Sequence, residues 1–80
     1  MKQFKIMLPN VAEAKKFVAA ASKCDFDIDV YYNRVTIDAK SILGVLSLDL
    51  TQVLTVEFNG DDAEFEAFLE AKAPGKCSAA

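Results

Sequence analysis

Hydrophobic and polar residues alternate near the start of the chain. In the stretch KQFKIML, residues 2–8, the large apolar side chains Phe4, Ile6 and Leu8 occupy every second position. Successive side chains of a β-strand point to opposite faces, so this spacing predicts a strand with one buried face. Pro9 ends the strand, because proline has no N–H to donate to a neighbouring strand.

The pattern then changes to helical spacing. Asn10 opens the stretch NVAEAKKFVAAASK, and Glu13 follows three residues later, which is the spacing of a capping box. The apolar residues of one face recur at helical intervals; they are Val11, Ala14, Phe17, Val18 and Ala21. This pattern predicts a helix over about residues 10–23 with Asn10 as its N-cap.

Alternation returns in the middle of the chain. Residues 26–38 alternate and break at Asn33 and Arg34, which predicts two strands joined by a tight turn. Residues 41–50 begin with a serine and continue with leucines, which predicts a short helix. Residues 52–60 predict a further strand that ends in Asn-Gly.

A last helix follows this strand. Asp61 and Glu64 repeat the capping spacing, which makes Asp61 the predicted N-cap. Phe65, Phe68 and Leu69 then share one apolar face. Pro74 and Gly75 end the helix.

The order of elements is therefore β-α-β-β-α-β-α. This order predicts an α+β fold with a four-stranded, mostly antiparallel sheet and three helices on one face. We expect a single domain over residues 1–73, followed by a flexible tail over residues 74–80.

Composition and charge exclude several classes of protein. The hydrophobic fraction is 52% and only five of the 80 residues are glycine or proline, which is typical of a globular domain. Twelve acidic against nine basic side chains argue against direct nucleic-acid binding, which needs a basic surface. Neither a signal peptide nor an apolar run of membrane-spanning length occurs, so we expect a cytoplasmic protein that does not contact a membrane.

The residues with catalytic or metal-binding chemistry are few. A bridge between Cys24 and Cys77 is possible but unsupported in a cytoplasmic protein, so we expect free thiols. The 80 residues contain no histidine, so neither thiol has an imidazole base to activate it. Asp25, Asp27 and Asp29 alternate but lack the glycine and distal glutamate of a calcium loop, so we interpret them as solvated charges. We therefore expect no cofactor, no metal and no enzymatic activity.

The segment SILGVLSLDL, residues 41–50, has more apolar side chains than one helix face can hold. On a helix, Val45 and Leu48 lie on one side, whereas the other side holds Ile42, Leu43 and Leu46. The apolar arc is wider than the roughly 100° stripe that packs against a sheet. Two interpretations stay open: all of these residues belong to the core, or Ile42, Leu43 and Leu46 remain partly exposed as a docking surface.

Two segments resemble a known family. The stretch AKSILGVLSLDL, residues 39–50, strongly resembles the regulatory-serine segment of HPr, the histidine-containing phosphocarrier of the bacterial sugar phosphotransferase system. The stretch ASKCDFDIDVYYNRVTIDAKS, residues 21–41, is similar to the part of HPr that leads into that segment. The resemblance implies an open-faced β-sandwich, which agrees with the order of elements derived above.

The chain departs from the family pattern at the phosphorylation site. HPr carries its phosphoryl group on a histidine at the start of the first helix, in a Gly-x-His-Ala-Arg-Pro-like motif. Counting back without gaps from Ala21-Ser22-Lys23 places Asn10 at the histidine, Ala12 at the arginine and Glu13 at the proline. The resemblance therefore implies that phosphoryl transfer by this helix is lost, and Asn10 is better interpreted as a helix cap.

Ser41 corresponds to the regulatory serine of the family. The resemblance implies phosphorylation by an ATP-dependent HPr kinase and binding to a LacI-type transcriptional regulator, as in catabolite-repression HPr, which also lacks the histidine. A phosphate at a helix start would meet free backbone amides, and Lys40 is adjacent. An ordinary N-cap that no kinase modifies explains Ser41 equally well, and both interpretations stay open.

These observations lead to two functional hypotheses. In the first, the chain is a non-catalytic regulatory protein that docks partner proteins through Ile42, Leu43 and Leu46, with Ser41 as a regulatory site. In the second, it is a vestigial HPr-like module that binds phosphotransferase proteins, such as Enzyme I, without accepting phosphate.

Overall fold

Four strands and three helices make up the fold, and the computed structural model describes residues 1–74. The elements are β1 (Lys2–Ile6), α1 (Val11–Ser22), β2 (Ile28–Tyr32), β3 (Val35–Asp38), α2 (Ile42–Leu46), β4 (Leu54–Phe58) and α3 (Ala63–Ala71). Their order and the antiparallel sheet confirm the α+β fold predicted from the sequence. Cys77 and all of the predicted tail except Pro74 lie outside the described residues.

The strands form one antiparallel sheet in the order β1-β4-β2-β3. β4 is the last strand in sequence but lies between β1 and β2 and pairs with both. Its residues Leu54, Val56 and Phe58 are accordingly buried against the helices. The hairpin between β2 and β3 turns at Asn33, whose φ of 55° lies in the left-handed region that asparagine tolerates.

The helices cover one face of the sheet, and aromatic rings fill much of the space between the two layers. The ring contacts connect all six phenylalanines of the chain: Phe4, Phe17, Phe26, Phe58, Phe65 and Phe68. Phe58 has three ring neighbours, with centroids 5.4, 5.5 and 5.7 Å away. Full burial of such a side chain contributes roughly 1.5–3 kcal/mol, so this strand residue is a main support of the small core.

β1 is shorter than its alternating pattern predicts. The pattern continues to Leu8, but the strand ends at Ile6, and the Met7 N–H donates to the Lys72 carbonyl oxygen at 2.8 Å. Leu8 is nevertheless fully buried. Alternation therefore predicts which side chains are buried even beyond the point where strand pairing stops.

The prediction that Asp61 caps α3 is wrong by one residue. Asp62 is the N-cap, and its Oδ1 accepts a hydrogen bond from the Phe65 N–H at 3.0 Å. Asp61 is exposed and forms an ion pair with Lys2 instead. Only Asp61 has the capping-box spacing, with Glu64 three residues later, yet Asp62 is the residue whose carboxylate bonds to the helix. Its bond to the N–H of the buried Phe65 fixes the start of α3 against the core.

Polar side chains cover the other face of the sheet. The Tyr31 hydroxyl donates to Glu57 Oε2 at 3.1 Å, and the Gln3 amide donates to the same oxygen at 2.5 Å. Lys5 Nζ donates to Thr55 Oγ1 at 2.8 Å, and Thr55 is only 7% exposed. The polar groups of this face thus bond to one another across the strands. The role of Tyr31 here is hairpin and sheet packing.

Candidate docking and regulatory site

Ser41 lies where the chain enters α2. Its backbone is extended, its Oγ accepts a hydrogen bond from the Gly44 N–H at 3.2 Å, and its carbonyl accepts from the Val45 N–H at 2.9 Å. These contacts make Ser41 the N-cap of a helix that is only five residues long. The side chain is exposed, so its hydroxyl can be reached from solvent.

The apolar side chains of α2 divide between the core and the surface. Val45 is fully buried and Leu48 is 7% exposed. Ile42 and Leu46 are half-buried at the margin of the core, and Leu43 is 81% exposed. We call Ile42, Leu43 and Leu46 the α2 patch. The structure thus places Leu43 in solvent, whereas Ile42 and Leu46 pack partly against the core. The docking role of the three side chains stays a prediction.

Gly44 allows α2 to lie close to the sheet edge. A Cβ atom at this position would come within 2.5 Å of Ile37 Cγ2 on β3 and 3.2 Å of Ser41 Oγ. Contacts below 3.0 Å force neighbouring atoms to move, and Cγ2 is attached directly to the branched Cβ of isoleucine. The absence of a side chain at Gly44 therefore sets both the position of α2 and the space beside the Ser41 hydroxyl.

Lys40 precedes Ser41, but its ammonium group bonds to the backbone near Cys24 and not to Ser41. Its Nζ donates to the Cys24 carbonyl oxygen at 2.9 Å, and its N–H donates to Asp38 Oδ1 at 2.9 Å. The ammonium group therefore connects the loop before α2 to the end of α1. A phosphate on Ser41 would therefore have to compete with the Cys24 carbonyl oxygen for the Lys40 ammonium group. The adjacency of Lys40 and Ser41 in the sequence does not reveal this competition.

Asn10 is the N-cap of α1. Its Oδ1 accepts a hydrogen bond from the Glu13 N–H at 2.9 Å, and its backbone is extended, as a cap requires. The amide side chain thus holds one of the backbone donors at the helix start. The capping role predicted from the sequence is confirmed.

Glu13, in the first turn of α1, forms an ion pair with Lys72, which follows α3. Glu13 Oε2 lies 2.6 Å from Lys72 Nζ, and the Lys16 ammonium is 3.8 Å from Oε1. Contact with Lys72 holds the pKa of the Glu13 carboxyl below its ordinary value. No local pattern predicts this pair, because its members lie at opposite ends of the chain.

Cys24 is a buried thiol beside the carboxylate of Asp62. Burial first, and then the neighbouring Asp62 carboxylate, raise the pKa of its thiol. Its Sγ lies 3.7 Å from the Ala20 carbonyl oxygen and 3.6 Å from Asp62 Oδ2. A nucleophilic cysteine needs the opposite shift, so the side chain packs rather than reacts.

The described part of the chain contains no group of three or more histidine, cysteine, aspartate or glutamate side chains placed to hold a metal ion. Asp25, Asp27 and Asp29 are all exposed. Within residues 1–74, no helix has the length and apolar character needed to cross a membrane.

Comparison with known proteins identifies the family. The model of the phosphotransferase-system HPr component phosphorylation site matches residues 10–72. The chain therefore belongs to the HPr family of phosphocarrier proteins of the phosphotransferase system. The match begins at Asn10, the N-cap of α1, and ends at Lys72, the partner of Glu13.

Solved structures of the family agree with this assignment. HPr-C-His from Thermoanaerobacter tengcongensis is 30% identical, with a TM-score of 0.72 over 89% of this chain and 93% of that chain. The phosphocarrier protein HPr from Bacillus anthracis is 27% identical, with a TM-score of 0.67 over 89% and 95%. The histidine-containing phosphocarrier protein of Mycoplasma, at 21% identity and a TM-score of 0.65 over 88% and 85%, shares the fold.

Proposed function

We propose that this chain is a non-catalytic, regulatory member of the HPr family that docks other proteins through the α2 patch, with phosphorylation of Ser41 as the gate. The observation that carries the proposal is the exposure of Leu43, whose side chain is 81% accessible two residues after Ser41. Covering an exposed aliphatic side chain removes apolar surface from water, which favours binding of a partner at that position.

The chemistry at the start of α1 supports a role other than phosphoryl transfer. The 80 residues contain no histidine, and Asn10 uses its side chain to cap the helix. A carboxamide has no basic nitrogen that could accept a phosphoryl group. The nearby Glu13 carboxylate also repels an anion at a helix end that would otherwise attract one.

A phosphate on Ser41 would change the character of the docking surface. It would bring about −1.5 to −2 charges to an exposed hydroxyl that now accepts one hydrogen bond, from the Gly44 N–H. Since α2 is short and Ser41 already has an extended backbone, the modification needs no unfolding of the core. The surface would change from apolar to mixed apolar and anionic, and its preferred partners would change with it.

The partners that fit this proposal are proteins of the cytoplasm. An HPr kinase would supply the phosphate, and a LacI-type transcriptional regulator or a phosphotransferase-system enzyme would bind the α2 patch. Membership of the HPr family supports this choice, because its members are named as phosphocarrier proteins of the phosphotransferase system.

The first experiment is incubation of the purified chain with ATP, magnesium and an HPr kinase, followed by intact mass spectrometry. We expect a gain of one phosphate that Ser41→Ala abolishes. Ser47→Ala is the matched control, because Ser47 is an exposed serine at the other end of α2 and its removal leaves the expected site intact. Absence of phosphate on the wild-type chain would remove Ser41 from the proposal.

A second experiment tests the docking surface itself. Leu43→Glu places a charge in the centre of the α2 patch at an exposed position, so the fold is retained. We expect it to weaken binding to a purified LacI-type regulator or Enzyme I at least tenfold by calorimetry. Val35→Glu is the control, since Val35 is 49% exposed on β3, outside the patch. Equal affinity of Leu43→Glu and wild type for every partner would overturn the docking role.

The alternative is a vestigial module that occupies Enzyme I without accepting phosphate. The observation that favours it is the retained family fold, with a TM-score of 0.72 to an HPr structure. It predicts that the chain slows phosphoryl transfer from Enzyme I to an authentic HPr in a concentration-dependent way. Without such competition, this alternative is excluded.

A further inference from the structure

The helices α1 and α3 pack side by side through Phe17, Phe65 and Phe68, with the start of α1 near the end of α3. Glu13 and Lys72 connect the start of α1 to the end of α3, with 2.6 Å between their charged atoms. At the other end, the helices leave between them a cleft of about 200 Å³. We call it the α1–α3 cleft. Its lining consists of Ala20, Lys23, Asp62, Glu64, Phe65 and Phe68.

The floor of the cleft is apolar and held in place. Phe65 is 1% exposed, and Ala20 and Phe68 are half-buried. Phe17, from α1, contacts both rings, with its centroid 6.1 Å from that of Phe65 and 6.5 Å from that of Phe68. A ligand would therefore meet a preformed aromatic surface and would not have to order it.

The rim of the cleft carries more negative than positive charge. Asp62 and Glu64 contribute carboxylates, whereas Lys23 contributes one ammonium group from the exposed end of α1. The Asp62 carboxylate is fixed in position, because Oδ1 accepts from the Phe65 N–H at 3.0 Å and Oδ2 lies 3.6 Å from Cys24 Sγ. The two carboxylates would repel an anionic ligand and attract a cationic one.

We propose that the α1–α3 cleft binds a small organic cation, an ammonium group on a short aromatic or aliphatic body. The apolar body lies against Phe68 and Ala20, above the buried Phe65 ring, and the ammonium group lies near Asp62 and Glu64. The volume sets the size of the ligand, because a cleft of about 200 Å³ is smaller than the roughly 300–1,000 Å³ of pockets for drug-sized molecules. This site is independent of the α2 patch and of Ser41.

The test uses two probes of the same shape and opposite charge, phenethylammonium and 3-phenylpropionate, titrated into the ¹⁵N-labelled chain. We expect saturable chemical-shift changes at Ala20, Phe65 and Phe68 with phenethylammonium, with a dissociation constant on the order of 1–10 mM. We expect at least fivefold weaker binding of 3-phenylpropionate. Equal affinity for the two probes, or shifts elsewhere on the surface, would overturn the proposal.

Substitutions at exposed positions test the charge of the rim without destabilising the fold. Glu64→Gln should weaken phenethylammonium binding about threefold, and Lys23→Gln should tighten it by a similar factor. Glu70→Gln is the matched control, because it makes the same charge change on α3 at an exposed residue outside the lining. If Glu70→Gln weakens binding as much as Glu64→Gln does, the attraction comes from net charge alone and the site is refuted.

Discussion

Glu13 and Lys72 join the first turn of α1 to the residue that follows α3, with 2.6 Å between carboxylate and ammonium. Both side chains are largely covered, with exposures of 20% and 19%. The Lys72 carbonyl also accepts the Met7 N–H, so this residue ties α3 to β1 as well. Lys72 thus holds the start of α1, which Asn10 caps, against the end of α3.

The Glu13–Lys72 pair should make stability depend on acid pH. The folded-state pKa of Glu13 lies below its ordinary value of 4.5, so the contribution of the pair is complete above about that pH. It is lost as the pH falls through the lowered folded-state value. Glu13→Gln should therefore lower the free energy of unfolding at pH 7, and the difference from wild type should shrink towards pH 3.

Urea unfolding followed by circular dichroism at both pH values measures this difference. Glu70→Gln, an exposed change of the same charge on α3, should have little effect at either pH. A Glu13→Gln deficit that is the same at pH 3 and pH 7 would assign the loss to packing and not to charge.

Gly44→Ala should destabilise the fold, although alanine normally favours a helix interior by roughly 1 kcal/mol over glycine. The new Cβ would come within 2.5 Å of Ile37 Cγ2, and such overpacking costs about 1–3 kcal/mol. Ile37→Ala removes the conflicting atom, so the double variant should be more stable than the sum of the single effects predicts. Denaturant unfolding of the four proteins measures the coupling. A Gly44→Ala variant more stable than wild type would contradict this account of α2 packing.

Asp29→Lys should stabilise the sheet. The strand register places Asp29 directly opposite both Asp38 on β3 and Glu57 on β4, which puts three carboxylates side by side on the open face. Like charges in such positions repel, and replacing the central one by lysine converts two repulsions into attractions. We expect about 0.5–1 kcal/mol of added stability at low salt, and less at high salt because ions screen exposed charges.

Asp27→Lys is the control for this effect, because it makes the same change in net charge at an exposed residue before β2 begins. Thermal unfolding of the two variants and wild type distinguishes local repulsion from net charge. Equal stabilisation by both substitutions would show that the row of carboxylates has no effect of its own.

Asp62→Ala should cost about 1 kcal/mol, the usual loss when an N-cap side chain is removed. Asp61→Ala should cost less, because its ion pair with Lys2 is exposed to water. Asp62→Ser should restore most of the stability, since serine can also accept the Phe65 N–H. Urea midpoints of the three variants give the order, and a larger loss at Asp61 than at Asp62 would contradict the assigned cap.

Local patterns in the sequence contain much of the fold. Alternation and helical spacing predict all seven elements in order, because burial of one face imposes a period of two on strands and 3.6 on helices. Asn10 was identifiable as a cap, since its role depends on Glu13, three residues away. Periodicity also separates Val45 from Leu43 on α2, but it left open whether Leu43 is buried, and the structure shows it exposed.

The sequence by itself therefore determined the elements, the order of the fold, the resemblance to the HPr family and the absence of histidine. Only the tertiary structure decided which distant groups meet. Glu13 meets Lys72, Lys40 bonds to the Cys24 carbonyl, and Gly44 lies against Ile37. β1 ends early because Met7 bonds to Lys72, and Asp62 replaces Asp61 as a cap because Phe65 must reach the core. These contacts share one physical reason. The periodicity of an element shows which of its sides is buried, whereas the residues that it contacts depend on how the whole chain packs.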